Sequence, residues 1–230
     1  MSRLFDSVIE GLREDLFRMG GRAEAILEKA LRAVWERDTN LADQVAEDDL
    51  EIDRLDVAID EGVLKALALQ APVAEDLREV MAIKMIATDL ERVGDLARNI
   101  AKSARRLSAH AQPIPLPATL TTLSRASQGA LRRSLDAFSH TDPVLARAVL
   151  DEDDAIDAQQ DEVVMSMLRE LEANPEAASQ EVDIILLAKH LERVADHATN
   201  IAEDVILVAE ARNVKHAAKL ARNETGRAHG

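Results

Sequence analysis

Cysteine and tyrosine are absent from the 230-residue chain, and its rings are confined to Phe5, Phe17, Trp35 and Phe138, 2% of the residues. Without thiols there can be no disulfides, thiolate metal sites or cysteine nucleophiles, and the chain suits a reducing compartment. So few rings exclude a β-sandwich or a base-stacking platform for nucleic acid, both of which depend on aromatic side chains. Basic residues are the minority, 28 against 43 acidic, for a net charge of −15. Such a chain is repelled by phosphate backbones, so no nucleic-acid partner is expected. Long apolar runs are missing as well. The longest stretch free of Asp, Glu, Lys and Arg, residues 107–124, carries three prolines and cannot span a membrane. The opening Met1-Ser2-Arg3-Leu4-Phe5-Asp6 leads into no apolar run of the signal-peptide kind. A cytoplasmic location is the resulting expectation.

What is present is helix-forming sequence. The six prolines (Pro72, Pro113, Pro115, Pro117, Pro143 and Pro175) all fall where helical periodicity stops, as expected of a residue that lacks the N–H and clashes with the preceding turn. One further break, at Arg37-Asp38-Thr39-Asn40, has no proline. The pattern predicts six helices over 3–36, 39–69, 73–109, 118–139, 143–173 and 177–212. Val80, Ile83, Ala87, Leu90, Gly94, Ala97 and Ala101 are spaced alternately three and four apart, a seam that packs helices at shallow angles. Ile184, Ala188, Leu191, Ala195, Ala198, Ala202 and Val205 make a second one. In the second helix the seam runs through Leu41, Val45, Ile52, Leu55, Ile59, Ala66 and Leu69, with Asp48 and Gly62 filling its remaining slots. The expected fold is an all-α helical bundle. Gly20-Gly21, in mid-helix, reads as a close crossing or a bend.

The chain is also a tandem duplication. Residues 90–101 match residues 191–202 at nine of twelve positions, an offset of 101. At an offset of 104, Asp38, Leu41, Ala42, Val45, Asp49, Ile52 and Asp53 find Asp142, Leu145, Ala146, Val149, Asp153, Ile156 and Asp157. Two three-helix units follow, 1–112 and 117–212, with a basic tail at 213–230. That tail (Lys215, Lys219, Arg222 and Arg227 against Glu224) reads first as a solvated terminus, with a docking arm as the other reading.

Glu91, Asp95 and Asn99 share one helical stripe at the edge of the apolar seam, and Asp49 and Asp53 are placed alike on the preceding helix. The second half repeats the arrangement with Asp153, Asp157, Glu192 and Asp196, and with Asn200 for Asn99. Four facing carboxylates repel unless protonated, paired or neutralised by a cation. Oxygen-only ligands suit Mg²⁺, Mn²⁺, Ca²⁺ or iron, so one reading is a metal site in each half. The other is a solvated acidic face, with Arg92 and Arg193 as its counter-charges. His190 and His197 lie on a different face, and His197 reads as structural or surface. No Glu-x-x-His pair, phosphate loop or nucleophile elbow is present, so no catalytic residue is assigned.

Met19-Gly20-Gly21, Val57-Ala58-Ile59-Asp60-Glu61, Ala71-Pro72 with Asp76-Leu77-Arg78, and the doubled Glu-Arg-Val-x-Asp resemble the PhoU family, the accessory regulators of phosphate-specific transport. The resemblance runs to about residue 212 and leaves the basic tail out. It implies two three-helix bundles in tandem and a non-enzymatic, cytoplasmic, homodimeric negative regulator of phosphate uptake and of the starvation response. Such a protein links the ATPase of a phosphate ABC transporter to a sensor histidine kinase and meets the membrane only through those partners. Metal clusters on Glu/Asp-x-x-x-Asp motifs are also implied, with iron, manganese, magnesium or zinc as candidate ions. The motifs fall on Asp49 and Asp53, Glu91 and Asp95, Asp153 and Asp157, and Glu192 and Asp196. The competing class is a carboxylate-bridged metal enzyme, a phosphohydrolase or oxidase on a helical bundle.

Overall fold

The structure, a computed structural model, describes residues 3–215. Seven α-helices and one 3₁₀ turn follow in order: α1 (Arg3–Glu36), α2 (Thr39–Gln70), α3 (Glu75–Ser108), α4 (Ala118–His140), α5 (Pro143–Asp151), α6 (Asp153–Ala173), the 3₁₀ turn Pro175–Ala177 and α7 (Ala178–Glu210). Helices α1–α3 make one bundle and α4–α7 the other. The all-α architecture and the duplication are as the periodicity predicts. Of the basic tail, all but residues 213–215 lies outside the described residues.

The predicted fifth helix is two helices. The chain breaks at Glu152, within the acidic run Asp151-Glu152-Asp153-Asp154. Arg133 of α4 holds the Glu152 carboxylate at this break, and α6 starts at the next residue.

The duplication extends to the turns. Arg37 (φ 52°) and Thr141 (φ 50°) both adopt the left-handed conformation that ends a helix. The next residue is an aspartate in each case, and it caps the following helix. Asp38 Oδ1 accepts from the N–H groups of Asn40 and Leu41 at 2.8 and 3.1 Å. Asp142 Oδ1 accepts from Val144 and Leu145 at the same distances. A side-chain oxygen at this point satisfies N–H groups that have no partner within the helix.

Every seam residue predicted for α3 and α7 is buried. The two helices pack on each other, so each serves its own bundle and also forms the contact between bundles. Within the first bundle the small seam residue Gly94 brings α3 close to Asp49 and Ile52 of α2. At a second contact between the bundles, a Cβ added to Gly20 of α1 would lie 3.1 Å from Leu135 of α4, so Gly20 is a close crossing, whereas Gly21 faces open space. In α2 the seam differs from expectation. Asp49, not Asp48, occupies the buried slot, at 3% exposure, while Asp48 turns outward to Lys29 at 2.5 Å and Leu69 is exposed.

Polar links cross between the bundles. His197 Nδ1 and Asn200 Nδ2 of α7 both meet Asp89 Oδ1 of α3, at 2.7 and 3.0 Å. Arg106 of α3 donates from Nε to Asp183 Oδ1 at 2.6 Å. Beyond α7 the chain folds back, so that Lys215 reaches the fully buried Asp204 at 2.9 Å. The linker, residues 109–117, is clamped from both sides. Arg37 donates to Leu107 O and Ile114 O at 2.9 and 2.7 Å. Gln180 donates to Gln112 O at 3.0 Å and accepts from Ile114 N at 3.1 Å.

Two predictions follow from this framework. Arg37→Ala strips one carbonyl at the end of α3 and one in the linker of their donor and is expected to cost about 1–3 kcal/mol in urea unfolding, with faster amide exchange along the linker. Unchanged exchange there would show the clamp to be inert. The second concerns Asp204, whose carboxyl is pushed up from 3.8 to about 6, chiefly by burial, with Asp89 and Glu203 adding and Lys215 opposing. The folded protein thus keeps this proton at pH values where the unfolded chain has released it. Its contribution to stability is present at low pH and is lost as pH rises from about 4 to 6. Asp204→Asn should therefore be the more stable protein at pH 7.5, by up to about 3 kcal/mol, and thermal unfolding should show the gap closing towards pH 4.

Candidate metal site

The two acid rows are built alike and end up in different chemical states. In the first half, Asp49 is buried in the α2–α3 contact. Gly94 makes room for it: a Cβ at residue 94 would come within 2.5 Å of Asp49 Oδ1. Arg98, one turn further along α3, places Nη1 3.2 Å from Asp49 Oδ2 and 3.4 Å from Asp95 Oδ1. Arg92 reaches Glu91 and Asp95, at 3.3 Å each. Burial and Asp53 still raise the Asp49 carboxyl above its ordinary value, and Arg98 works against them. Glu91 is likewise raised by burial and by Asp95. Asp53 is exposed and borders the row, close enough to add to the repulsion on Asp49 and Glu91. The Asn99 Oδ1 atom accepts from Lys102 at 3.2 Å and takes no part with the acids.

In the second half the residue at the place of Arg98 is Thr199, whose hydroxyl donates to Asp196 O in its own helix at 2.7 Å. Among the described residues no cation comes within ion-pair distance of Asp153, Asp157 or Asp196; Arg193 and His197 act on Asp196 from further off and only partly offset the rise caused by burial and Asp157. One carboxylate oxygen from each of the three aspartates lies within 4.8 Å of the other two. The spacing explains the convergence. Asp153 and Asp157 are one turn apart at the start of α6, directly after the break at Glu152, and Asp196 faces them from α7. Asp153 Oδ1 is buried without a hydrogen-bond partner. Its carboxyl is pushed up to about 6, first by burial and then by Asp157 and Asp196. Burial also raises Asp157, Asp196 and Glu192; Glu192 feels Asp196 and Asp157 but stands outside the group of three.

This donor set fits a hard or intermediate cation. Ligand oxygens at about 2.0–2.3 Å from one ion stand no more than about 4.6 Å apart, a separation compatible with three oxygens that all lie within 4.8 Å of one another, Asp157 and Asp196 being on the exposed side. An unpartnered buried oxygen is what a cation would satisfy. Of the eight acids predicted as ligands, the structure gathers Asp153, Asp157 and Asp196, with Glu192 at the border. It sets Asp49, Glu91 and Asp95 beside Arg98 or Arg92, and leaves Asp53 exposed with no ion pair among the described residues. Asn200 leaves the stripe for Asp89. His197 has the structural role expected of it, across the contact between bundles. Sequence reasoning missed Arg98, although its spacing of three from Asp95 and its replacement by Thr199 in the repeat were available signals.

Two acidic helical bundles in tandem, joined through α3 and α7 and carrying a carboxylate cluster, define a duplicated all-α bundle protein. A profile of the PhoU domain matches residues 16–104 and again 120–205. The phosphate-specific transport system accessory protein PhoU homolog of Xylella fastidiosa strain 9a5c is 37% identical over 204 residues, 89% of this chain and 86% of that one. The crystal structure of PhoU from Pseudomonas aeruginosa superposes with a TM-score of 0.88 at 32% identity, covering 90% of this chain and 100% of that one. That of the phosphate transport system regulatory protein PhoU from Streptococcus pneumoniae gives 0.84 at 26% identity, covering 91% and 99%. The chain belongs to the PhoU family.

Arg98→Thr, which gives the first half the residue of the second, leaves Asp49 buried without its cation. The expected loss is about 1–3 kcal/mol in chemical denaturation, smaller than for a wholly buried pair because the guanidinium is partly solvated. A neutral result would remove Arg98 as the counter-charge of this row.

Proposed function

We propose that this protein is a non-enzymatic adaptor of phosphate transport. In this reading it restrains phosphate uptake and the starvation response by linking the ATPase of a phosphate ABC transporter to a sensor histidine kinase. The observation that carries the reading is the match of both halves to the PhoU domain, together with relatives named as accessory proteins of phosphate-specific transport. Among the described residues no helix is long and apolar enough to cross a membrane, consistent with a cytoplasmic protein that meets the bilayer through its partners. Such an adaptor can shift its partners only by binding their states with unequal affinity. A homodimer is part of the proposal. Leu50, Val57 and Leu64, exposed and a heptad apart on α2, offer a second copy an apolar line.

The ion belongs to the second half in this reading. Asp153, Asp157 and Asp196 would hold it, with Glu192 beside them, and its charge would relieve their mutual repulsion. Arg98 fills that role for Asp49 and Asp95 in the first half, and Arg92 for Glu91 and Asp95, so in this reading that row needs no ion.

Titration of chelator-stripped protein with Mn²⁺ is expected to show a single class of site. Asp153→Asn/Asp196→Asn and Thr199→Arg should abolish it, and Arg98→Thr should add a second. Binding that survives both second-half changes would place the ion elsewhere. Pull-down of the transporter ATPase and the kinase from membranes tests the adaptor itself. Capture of neither, or repeatable metal-dependent phosphatase or oxidase turnover, would reject it.

A further inference from the structure

The linker forms one wall of a cavity of about 350 Å³ against the second bundle. Residues 114–117 make that wall. The opposite wall is Ser166, Met167 and Glu170 of α6, then Asn174, and Glu181 of α7. The volume falls at the low end of the range of small-molecule sites, roughly 300–1,000 Å³. Its surface is mostly apolar, from the prolines, Ile114, Leu116 and Met167, and none of its lining residues is basic.

Glu181 is the residue that packing does not explain. It is only 2% exposed, and its Oε2 is enclosed with no hydrogen-bond partner. Among the described residues no cation pairs with it. Glu170, on the same wall, adds negative charge to that of Glu181 rather than relieving it. A buried carboxylate left in this way costs free energy, and native structures rarely leave one without a partner. The duplication gives an internal control. At the offset of 101 the counterpart of Glu181 is Val80, fully buried. The other copy thus fills the equivalent place with a plain hydrocarbon side chain. The neighbour Gln180 is already engaged, with both ends of its amide on the linker. It is not free to partner Glu181.

We propose that this cavity binds an organic cation, a primary ammonium on an apolar stem, with Glu181 and Glu170 as its counter-charges. An anion is disfavoured by two carboxylates and the lack of a basic lining residue. A divalent metal ion would need about six oxygens, and the cavity walls are mainly carbon. An ammonium needs three acceptors, and the carboxylates, the Ser166 hydroxyl and the Asn174 amide oxygen supply that chemistry. Leu116, Met167 and the prolines receive the stem. Because the linker is one wall, an occupant bears on the strap that Arg37 and Gln180 hold between the bundles. The ammonium comes either from a free amine or from a lysine side chain of a partner protein. This site stands apart from the acid rows and does not rest on the adaptor reading.

Calorimetric titration of the full chain with 1,5-diaminopentane and, separately, with Nα-acetyl-lysine amide tests the proposal, with 1-pentanol and pentanoate as neutral and anionic controls. Saturable one-to-one binding of an amine is expected, and neither control should bind. Glu181→Gln should weaken the amine by about tenfold or more. Glu181→Val, which installs the residue of the other half, should abolish binding while unfolding at the same or a higher temperature. Saturation by the diamine assigns the site to free amines, and saturation by the lysine amide alone assigns it to a partner's side chain. Failure of both to saturate at millimolar concentration, or undiminished binding by folded Glu181→Gln, overturns the proposal and leaves water as the occupant.

Discussion

The packing of α3 against α7 is the constraint on which the rest of the molecule depends. Each helix is the third member of its own bundle, and each also faces the other bundle, so both must be apolar on more than one side. Many of the buried positions on both helices are small residues. Ala87, Gly94, Ala97 and Ala101 on α3, and Ala188, Ala195, Ala198 and Ala202 on α7, are all buried. A polar side chain at this buried contact must find a partner on the facing helix or on a returning segment. Asp89 finds His197 and Asn200, Asp183 finds Arg106, and Asp204 finds Lys215.

The same constraint separates the two acid rows. The matched stretch 90–101 differs from 191–202 at three places, and each difference has a structural consequence. Gly94 against Ala195 decides whether an aspartate can sink into the contact with the preceding helix. Leu96 against His197 decides which helix carries the polar link to the other bundle. Arg98 against Thr199 decides whether the row is neutralised from within. Between them these substitutions turn one ancestral pattern into a closed ion pair in one half and an open carboxylate cluster in the other.

Much of the fold was legible in the sequence because its signals are local and repeated. Heptad spacing gave the seams of α3 and α7, the prolines gave most of the boundaries, and Asp38 and Asp142 stood at matching places of the repeat, where the structure makes each a cap. The break at Glu152 was not legible. It arises where four consecutive acids meet Arg133, a contact with a different helix, and nothing in the helical period records it. The exchange of Asp48 for Asp49 in the α2 seam has a similar cause. A seam reading ranks positions by hydrophobicity, whereas the buried slot here is decided by the room above Gly94 and by the charge of Arg98. The candidate site was legible as a set of residues, and only the structure separates its two halves. Glu181 carried no motif at all. Its signal was a mismatch with Val80, visible once the repeats are laid side by side in three dimensions.

The crossing at Gly20 has a consequence for the shape of the whole body. Helices α3 and α7 act as a long spine, while α1 and α4 meet along one edge, through Phe17 on Phe138 and at Gly20, where Leu135 rests on bare backbone. A wedge inserted there acts at the end of a lever whose fulcrum is the spine. Enlarging residue 20 by a few atoms should therefore splay the bundles along one edge and leave their internal packing intact. The pitch between the two halves is thus tunable through a single position, without rebuilding either core.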